Sequence, residues 1–343
     1  MSEASPAPAE RPVLLEVKGL KKHFAIKRGM FRRQVGTLRA VDDVDLKVYE
    51  GETLGLVGES GCGKTTLGRL VLRLYEATAG QVLLRVGPDE VVDLLQLDAK
   101  RLRALRRHMQ MVFQDPYSSL DPRMTVLDIV GEPLLECGIA RGKELAGKVR
   151  ELLEAVGLEV EHIKRYPHAF SGGQRQRIGV ARALAPNPKL IVCDEPVSAL
   201  DVSVQAQILN LLVDLQQKFS LTLLFISHDL AVVQHACNRV AVMYVGRLVE
   251  LAPTAGLFER PRHPYTEALL RAVPKADPDA ANEPLPLMGE VADASNPPSG
   301  CYFHPRCPHV REQCRTQTPA WTEVEPGHFV ACHLARELNL KGV

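Results

Sequence analysis

Nine consecutive residues, Gly58-Glu59-Ser60-Gly61-Cys62-Gly63-Lys64-Thr65-Thr66, combine glycines, hydroxyls and a cation in the order that a phosphate chain requires. They fit the pattern G-x-x-x-x-G-K-[ST] at Gly58, Gly63, Lys64 and Thr65. Glycines at 58, 61 and 63 let the backbone wrap an anion without Cβ clashes. Lys64 would reach the β- and γ-phosphates, and the Thr65 hydroxyl would ligate Mg²⁺. An ordinary glycine-rich turn before a helix would share the glycines but has no need of the Lys-Thr pair.

Other stretches carry compatible chemistry. Leu190-Ile191-Val192-Cys193-Asp194-Glu195 is an apolar run that ends in two carboxylates. Burying carboxylates beside a strand is costly unless a cation or a reaction uses them. Asp194 is placed to hold Mg²⁺ and Glu195 to polarise a water for attack on a γ-phosphate; an exposed acidic turn is the bland alternative. Ser171-Gly172-Gly173-Gln174 opens a helix with unpaired amides and a hydroxyl, which suits an anion and equally a simple N-cap. His228 follows another apolar run and could hydrogen-bond a γ-phosphate, or serve as a capping or core histidine. Gln114, at a further strand end, is a candidate contact for water or Mg²⁺.

Near the C-terminus, Cys301, Cys307, Cys314 and Cys332 are separated by five, six and seventeen residues in a Pro- and His-rich segment. Four clustered cysteines suggest a metal centre or free structural thiols. The spacing is not the paired C-x₂-C of most zinc modules, and four thiolates also suit a [4Fe–4S] cluster. His304, His309 and His333 could substitute as zinc ligands.

The elements that must position these groups follow from periodicity. Residues 53–57 form a short apolar run, as a buried strand would, and Leu67, Leu70, Val71 and Leu74 recur at helical spacing beyond the glycine-rich loop. Further strands are expected at 13–17, 44–48, 81–86, 91–95, 109–113, 189–193 and 221–227. Two short ones should flank Gly246 within 240–249. Helices are expected at 100–107, 147–156 and 174–184, with another between the runs at 189–193 and 221–227. Apolar strands alternating with helices indicate an α/β fold with a parallel sheet. Pro116, Pro122 and Pro133 punctuate a region read as a helical subdomain over 115–178. Residues 1–12 read as a disordered tail, 27–33 as an exposed basic insertion, and 261–343 as a separate C-terminal module.

Composition sets the outer bounds. The chain has 343 residues, 42 Lys and Arg against 41 Asp and Glu, and a net charge of +1, so no global field draws it to nucleic acid or anionic lipid. The first residues lack the basic and apolar regions of a signal peptide, and no run approaches membrane-spanning length. A cytosolic protein that can dock on a membrane partner is the expectation.

Taken in order, these residues resemble the nucleotide-binding subunit of an ATP-binding cassette (ABC) transporter over roughly residues 13–260. The resemblance makes Gly58–Thr66 the phosphate loop, Gln114 the Q-loop glutamine and Phe170-Ser-Gly-Gly-Gln174 the signature, where Leu is commoner than Phe at the first position. It makes Leu190–Asp194 Walker B with Glu195 catalytic, Ser198-Ala-Leu-Asp201 the D-loop, His228 the switch histidine and Phe24 the aromatic for adenine stacking. The implied fold is the P-loop NTPase type with an inserted helical subdomain, and the implied activity is Mg²⁺-dependent ATP hydrolysis. Such domains work in pairs, with one phosphate loop facing the other's signature, so Ser171, Gly172, Gly173, Gln174 and Asp201 would contact a partner's nucleotide.

A finer resemblance is to the ATPases of dipeptide and oligopeptide importers. It rests on Phe113-Gln-Asp-Pro-Tyr-Ser-Ser-Leu-Asp-Pro122, Pro261-Arg-His-Pro-Tyr-Thr-Glu-Ala-Leu-Leu270 and Asn296-Pro-Pro-Ser-Gly-Cys-Tyr-Phe-His-Pro-Arg-Cys-Pro308. The insertion at 27–33 with Val35-Gly-Thr-Leu-Arg-Ala-Val41 is similar to the F-type subunit. The resemblance implies a D-type ATPase partner, two transmembrane permease subunits and an extracytoplasmic peptide-binding protein, with the chain at the cytoplasmic face of the membrane. It also favours [4Fe–4S] over zinc at Cys301, Cys307, Cys314 and Cys332. An ATPase for nickel or another small solute is one competing reading. A soluble ABC ATPase of DNA repair or translation is another, although such proteins usually carry two cassettes, coiled coils or basic arms.

Overall fold

A computed structural model describes residues 11–29, 33–272 and 289–343. Most of the tail expected at 1–12, part of the insertion at 27–33 and residues 273–288 of the C-terminal module fall outside the described residues. The chain divides into two compact units, one of residues 1–15, 47–53 and 83–226, the other of 16–46, 54–82 and 227–343. Residues 115–178 fall in the first unit together with parallel strands, and the C-terminal module shares the second unit with the phosphate loop.

In the first unit, strand Leu190–Asp194 lies between Met109–Val112 and Thr222–Ile226 and is parallel to both. Every residue of Leu190–Asp194 and Thr222–Ile226 is buried. That explains their unbroken apolar sequence, since a strand covered on both faces has no polar side to alternate with. Helices Val126–Glu136, Gly142–Ala155, Gly172–Leu184 and Val202–Phe219 belong to this unit. Thr125 and Asp128 form a reciprocal capping box that starts the first of them. The strand expected at 91–95 is shorter, Val91–Asp93, because the Asp93 side chain accepts from Leu95 N and turns the chain into a 3₁₀ helix.

In the second unit, Leu54 to Val57 run parallel to Arg239 to Val242. Arg239–Tyr244 then turns back through Val245 and Gly246, both at positive φ, to pair antiparallel with Arg247–Pro253. The C-terminal module extends this order: His328–Val330 pairs with Glu250 and Leu251, and Thr322–Glu325 pairs with His328–Val330.

Two strands are far longer than their sequence signal. The runs expected at 13–17 and 44–48 belong to Val13–Arg28 and Arg33–Tyr49. In the latter only the second half alternates buried with exposed, at Asp42, Val44, Leu46 and Val48. The first half is held by strand pairing without a buried face, so it leaves no apolar period to read.

Candidate functional site

The phosphate loop leaves the strand Thr53–Val57 and enters the helix Lys64–Val71. Two of its glycines are sterically required. A Cβ on Gly58 would stand 2.2 Å from the carbonyl oxygen of Met243, and one on Gly63 2.1 Å from that of Ala40. Gly63 takes the N-cap position at φ 110° and offers no side chain to cap the helix, so no capping oxygen of its own competes with an anion for the first amides. Lys64, 5% exposed, donates from Nζ to the carbonyls of Gly58 at 2.7 Å and Glu59 at 3.1 Å. The ammonium is therefore already folded back over the loop. Thr65 and Thr66 occupy the next two positions of the helix, with Ser60, Gly61 and Cys62 at the loop's crest.

His228 joins this loop. A cavity of about 350 Å³ is lined by Val57, Gly58, Glu59, His228, Asp229 and Leu230, with Leu269 and Ala272 from the C-terminal module. Phe24 meets Tyr75 edge-to-face at 5.9 Å and carries Lys22 Nζ 4.8 Å from its ring centroid. An adenine stacking there would thus meet a half-buried aromatic pair and a cation.

In the first unit, Asp194 ends its strand only 2% exposed. Glu195 follows at φ 46°, a left-handed backbone that is strained for a non-glycine residue, fixed by its N–H donating to Ile226 O at 3.0 Å. Gln114 Nε2 donates to Glu195 Oε2 at 3.0 Å, bringing together two candidates that lie 81 positions apart. Within this unit the carboxylate of Asp194 and the amide oxygen of Gln114 are hard oxygens of the kind Mg²⁺ prefers.

Ser171 makes a full capping box: its Oγ accepts from Gln174 N, and Gln174 Oε1 accepts from Ser171 N. The capping alternative is therefore realised. Asp201 likewise caps its helix, accepting from Val204 N and Ser203 Oγ, and the Ser203 hydroxyl holds its carboxyl below the usual range. The two turns pack together. A Cβ on Gly173 would stand 2.4 Å from Val204 Cγ1, and one on Gly172 3.3 Å from Leu200 Cδ2.

The four C-terminal cysteines share one module. Cys301 N donates to Cys314 O at 2.9 Å, and Gly300 is needed beside it because a Cβ would lie 2.4 Å from that same oxygen. Burial pushes the Cys307 thiol up to about 11 and the Cys332 thiol to about 12, with the other cysteines adding to both. Among the described residues no group of three or more His, Cys, Asp or Glu is arranged to hold a metal ion. Two of the histidines considered as ligands face backbone carbonyls instead, His304 on Cys301 O and His333 on Gln317 O.

Three polar clusters in the second unit have no signal in the sequence. Arg306 grips the Glu59 carboxylate with two hydrogen bonds. Asp42 accepts from Arg247 and Tyr302 and pairs with His23. Glu250 collects Arg262 N, His263 N and His328 Nε2.

The ABC transporter family matches residues 41–198, and the family of the oligopeptide/dipeptide transporter C-terminal region matches 249–314. A probable peptide ABC transporter ATP-binding protein of Sinorhizobium fredii is 55% identical over 324 residues, covering 94% of this chain and 90% of that protein. The chain belongs to the ATP-binding subunits of ABC transporters. The oligopeptide transport ATP-binding protein AppF of Bacillus subtilis is 50% identical over 329 residues, 95% of this chain and 98% of that protein. A dimeric ATP-binding cassette solved in a post-hydrolysis state with ADP and Pi superposes with a TM-score of 0.61 at 30% identity, over 70% of this chain and 99% of that one. The fold is thus the P-loop nucleotide-binding fold of ABC ATPases, and the protein is an ATPase of this family.

Proposed function

We propose that this ABC ATPase energises the uptake of dipeptides or oligopeptides across the cytoplasmic membrane. The observation that carries this is the presence, in one chain, of the ATPase core and the oligopeptide-transporter C-terminal region. The names of the relatives support the same substrate class. Among the described residues no helix is long and apolar enough to cross a membrane. The reading places the chain at the cytoplasmic face, paired with a second, D-type ATPase, two permeases and an extracytoplasmic peptide-binding protein. Its ATPase domain is taken as 13–260, with the helical subdomain 115–178 and the extension 261–343.

The residue roles follow from chemistry. Gly58, Ser60, Gly61, Cys62 and Gly63 wrap the triphosphate with backbone amides, Lys64 neutralises its β/γ-oxygens, and Phe24 stacks on adenine. Thr65, Asp194 and Gln114 would hold Mg²⁺, which supplies charge neutralisation on the phosphates. Glu195 orients water and accepts its proton as the new P–O bond forms and the γ-phosphoryl leaves ADP, while His228 hydrogen-bonds the departing phosphate. Ser171, Gly172, Gly173, Gln174 and Asp201 address the nucleotide of the partner ATPase.

A separate proposal concerns Cys301, Cys307, Cys314 and Cys332, which we assign to a [4Fe–4S] cluster, with zinc as the alternative. It is supported by four thiols in one module and enters no step of hydrolysis. Anaerobically purified protein should absorb in the visible and carry about four irons per chain. Colourless protein with zinc, or with four freely reactive thiols, would overturn the assignment.

The transport reading is tested by deleting the gene and measuring uptake of a radiolabelled tripeptide. Restoration by the wild-type gene and not by a Lys64→Ala allele is expected, together with co-purification of two permeases. Normal peptide uptake in the deletion strain, with loss of nickel uptake instead, would overturn the substrate class.

A further inference from the structure

Glu59 is the second residue of the phosphate loop, at a position the loop pattern leaves open to any residue. It is nevertheless held at three places. Its N–H donates to Tyr265 Oη at 2.8 Å, and its carbonyl accepts from Lys64 Nζ at 3.1 Å. Its carboxylate takes both terminal nitrogens of Arg306, Nη1 on Oε2 at 2.7 Å and Nη2 on Oε1 at 3.1 Å. Tyr265 and Arg306 lie 206 and 247 positions further along the chain, in the C-terminal module.

The clamp is rigid from behind. Tyr244, Tyr265 and Phe303 contact one another with ring centroids 4.7 to 5.4 Å apart, and Arg306 lies 5.9 Å from the Tyr244 ring. The Arg306 side chain is 5% exposed, against 25% for Glu59. A buried guanidinium with a fork-to-fork carboxylate is among the more directional contacts a protein can make. Here it is directed at a loop whose binding function depends on backbone shape, and the same Glu59 carbonyl positions the phosphate-binding lysine.

We propose that Arg306 is a positioning residue for ATP: through Glu59, and with Tyr265, it fixes the phosphate loop and Lys64 in the shape that receives the triphosphate. The C-terminal module would then set nucleotide affinity as well as mark the transporter class. The inference rests on the phosphate loop being the ATP site. Loop order supplied in advance is order that ATP binding need not impose, so affinity falls when the clamp is removed.

The test uses the full chain, ATP as the titrant, and the variants Glu59→Gln, Arg306→Gln, Arg306→Lys and the Glu59→Gln/Arg306→Gln double. Each Gln variant should weaken ATP binding about tenfold, as the loss of a charge-assisted pair allows. The double should be no weaker than the singles, because both remove one interaction. Arg306→Lys should recover part of the affinity, and KM for ATP should rise by more than kcat falls. Should Arg306→Gln fail to fold, Glu59→Gln alone decides, since it leaves the module intact. Variants that lower the melting temperature while binding ATP like the wild type, or that add independently in the double, overturn the clamp. A Lys64→Ala control separates the two readings. If it too binds ATP normally, the assignment of the ATP site fails, whereas lost binding there with normal binding in the Glu59 and Arg306 variants sinks only the clamp.

Discussion

His328 Nε2 lies 2.7 Å from Oε1 of Glu250, a carboxylate with no exposed surface. The same carboxylate accepts from the backbone N–H of Arg262 at 2.6 Å and of His263 at 3.0 Å. One side chain of strand Arg247–Pro253 thus ties down both the segment that opens the C-terminal module and a strand near its end. Glu250→Ala should destabilise the protein by about 3 kcal/mol, because it orphans buried donors on two segments together. Urea unfolding followed by tryptophan fluorescence checks this, since the single Trp321 lies beside the strand Thr322–Glu325. A midpoint equal to that of the wild type would show that Glu250 is dispensable.

A pH dependence is built in at His263. Burial pushes its imidazole down to about 3, and its neutral Nδ1 accepts from Tyr265 N at 3.1 Å, capping the helix Pro264–Arg271. Protonation at Nδ1 would both charge a buried ring and delete that cap. Unfolded, the group protonates near the ordinary histidine value of 6.5. Between that pH and about 3 the unfolded chain therefore binds the extra proton, and stability falls as pH falls, by up to about 1.4 kcal/mol per pH unit. Above pH 6.5 the contribution is fully present. His263→Gln should flatten the stability curve between pH 6.5 and 5 relative to the wild type, measured by denaturant midpoints at each pH. Parallel curves for the two proteins would rule out this group as the source.

What the sequence revealed and concealed follows from the range of the interactions. Gly58, Gly63 and Lys64 were legible because their requirements are local: two close backbone approaches and one cation, within seven positions of one another. Asp194 and Glu195 were legible because carboxylates at the end of a buried strand are costly anywhere. Gln114 had no meaning alone and acquires one only through Glu195, 81 positions away. The grip of Arg306 on Glu59 was invisible, since neither residue belongs to a periodic or spaced pattern and the contact spans 247 positions. Strand lengths were underestimated for a related reason: the first half of Arg33–Tyr49 buries no face, and hydrogen bonding to a neighbouring strand leaves no trace in residue type.

Gly63→Ala should abolish ATP binding with little cost elsewhere in the fold. The position sits at φ 110°, where a side chain is strained, and the added carbon would lie 2.1 Å from Ala40 O and 2.9 Å from Met243 Cε. The methionine can move, but the backbone oxygen can do so only with its strand, so the loop must open. A fall in ATP affinity of about 100-fold or more, with far-ultraviolet circular dichroism unchanged, is the expected result. Retained affinity would mean the loop tolerates a different path at this residue.

Glu195→Gln separates binding from chemistry. The carboxylate sits on a strained backbone at φ 46°, held by Ile226 O, and it accepts from Gln114 Nε2. A glutamine is nearly the same shape and can keep the Gln114 contact through its amide oxygen, so the local fold has little reason to change. What it cannot do is take a proton from water. ATP affinity should therefore stay within about twofold of the wild type, while turnover falls by about 100-fold or more, as for loss of a general base. On the pairing proposed above, the uncleaved ATP should also prolong association of the chain with its proposed partner ATPase, visible as a larger species on size exclusion with ATP and absent with ADP. Hydrolysis at the wild-type rate would falsify the role of Glu195 and move the search for a base to the His228 side chain.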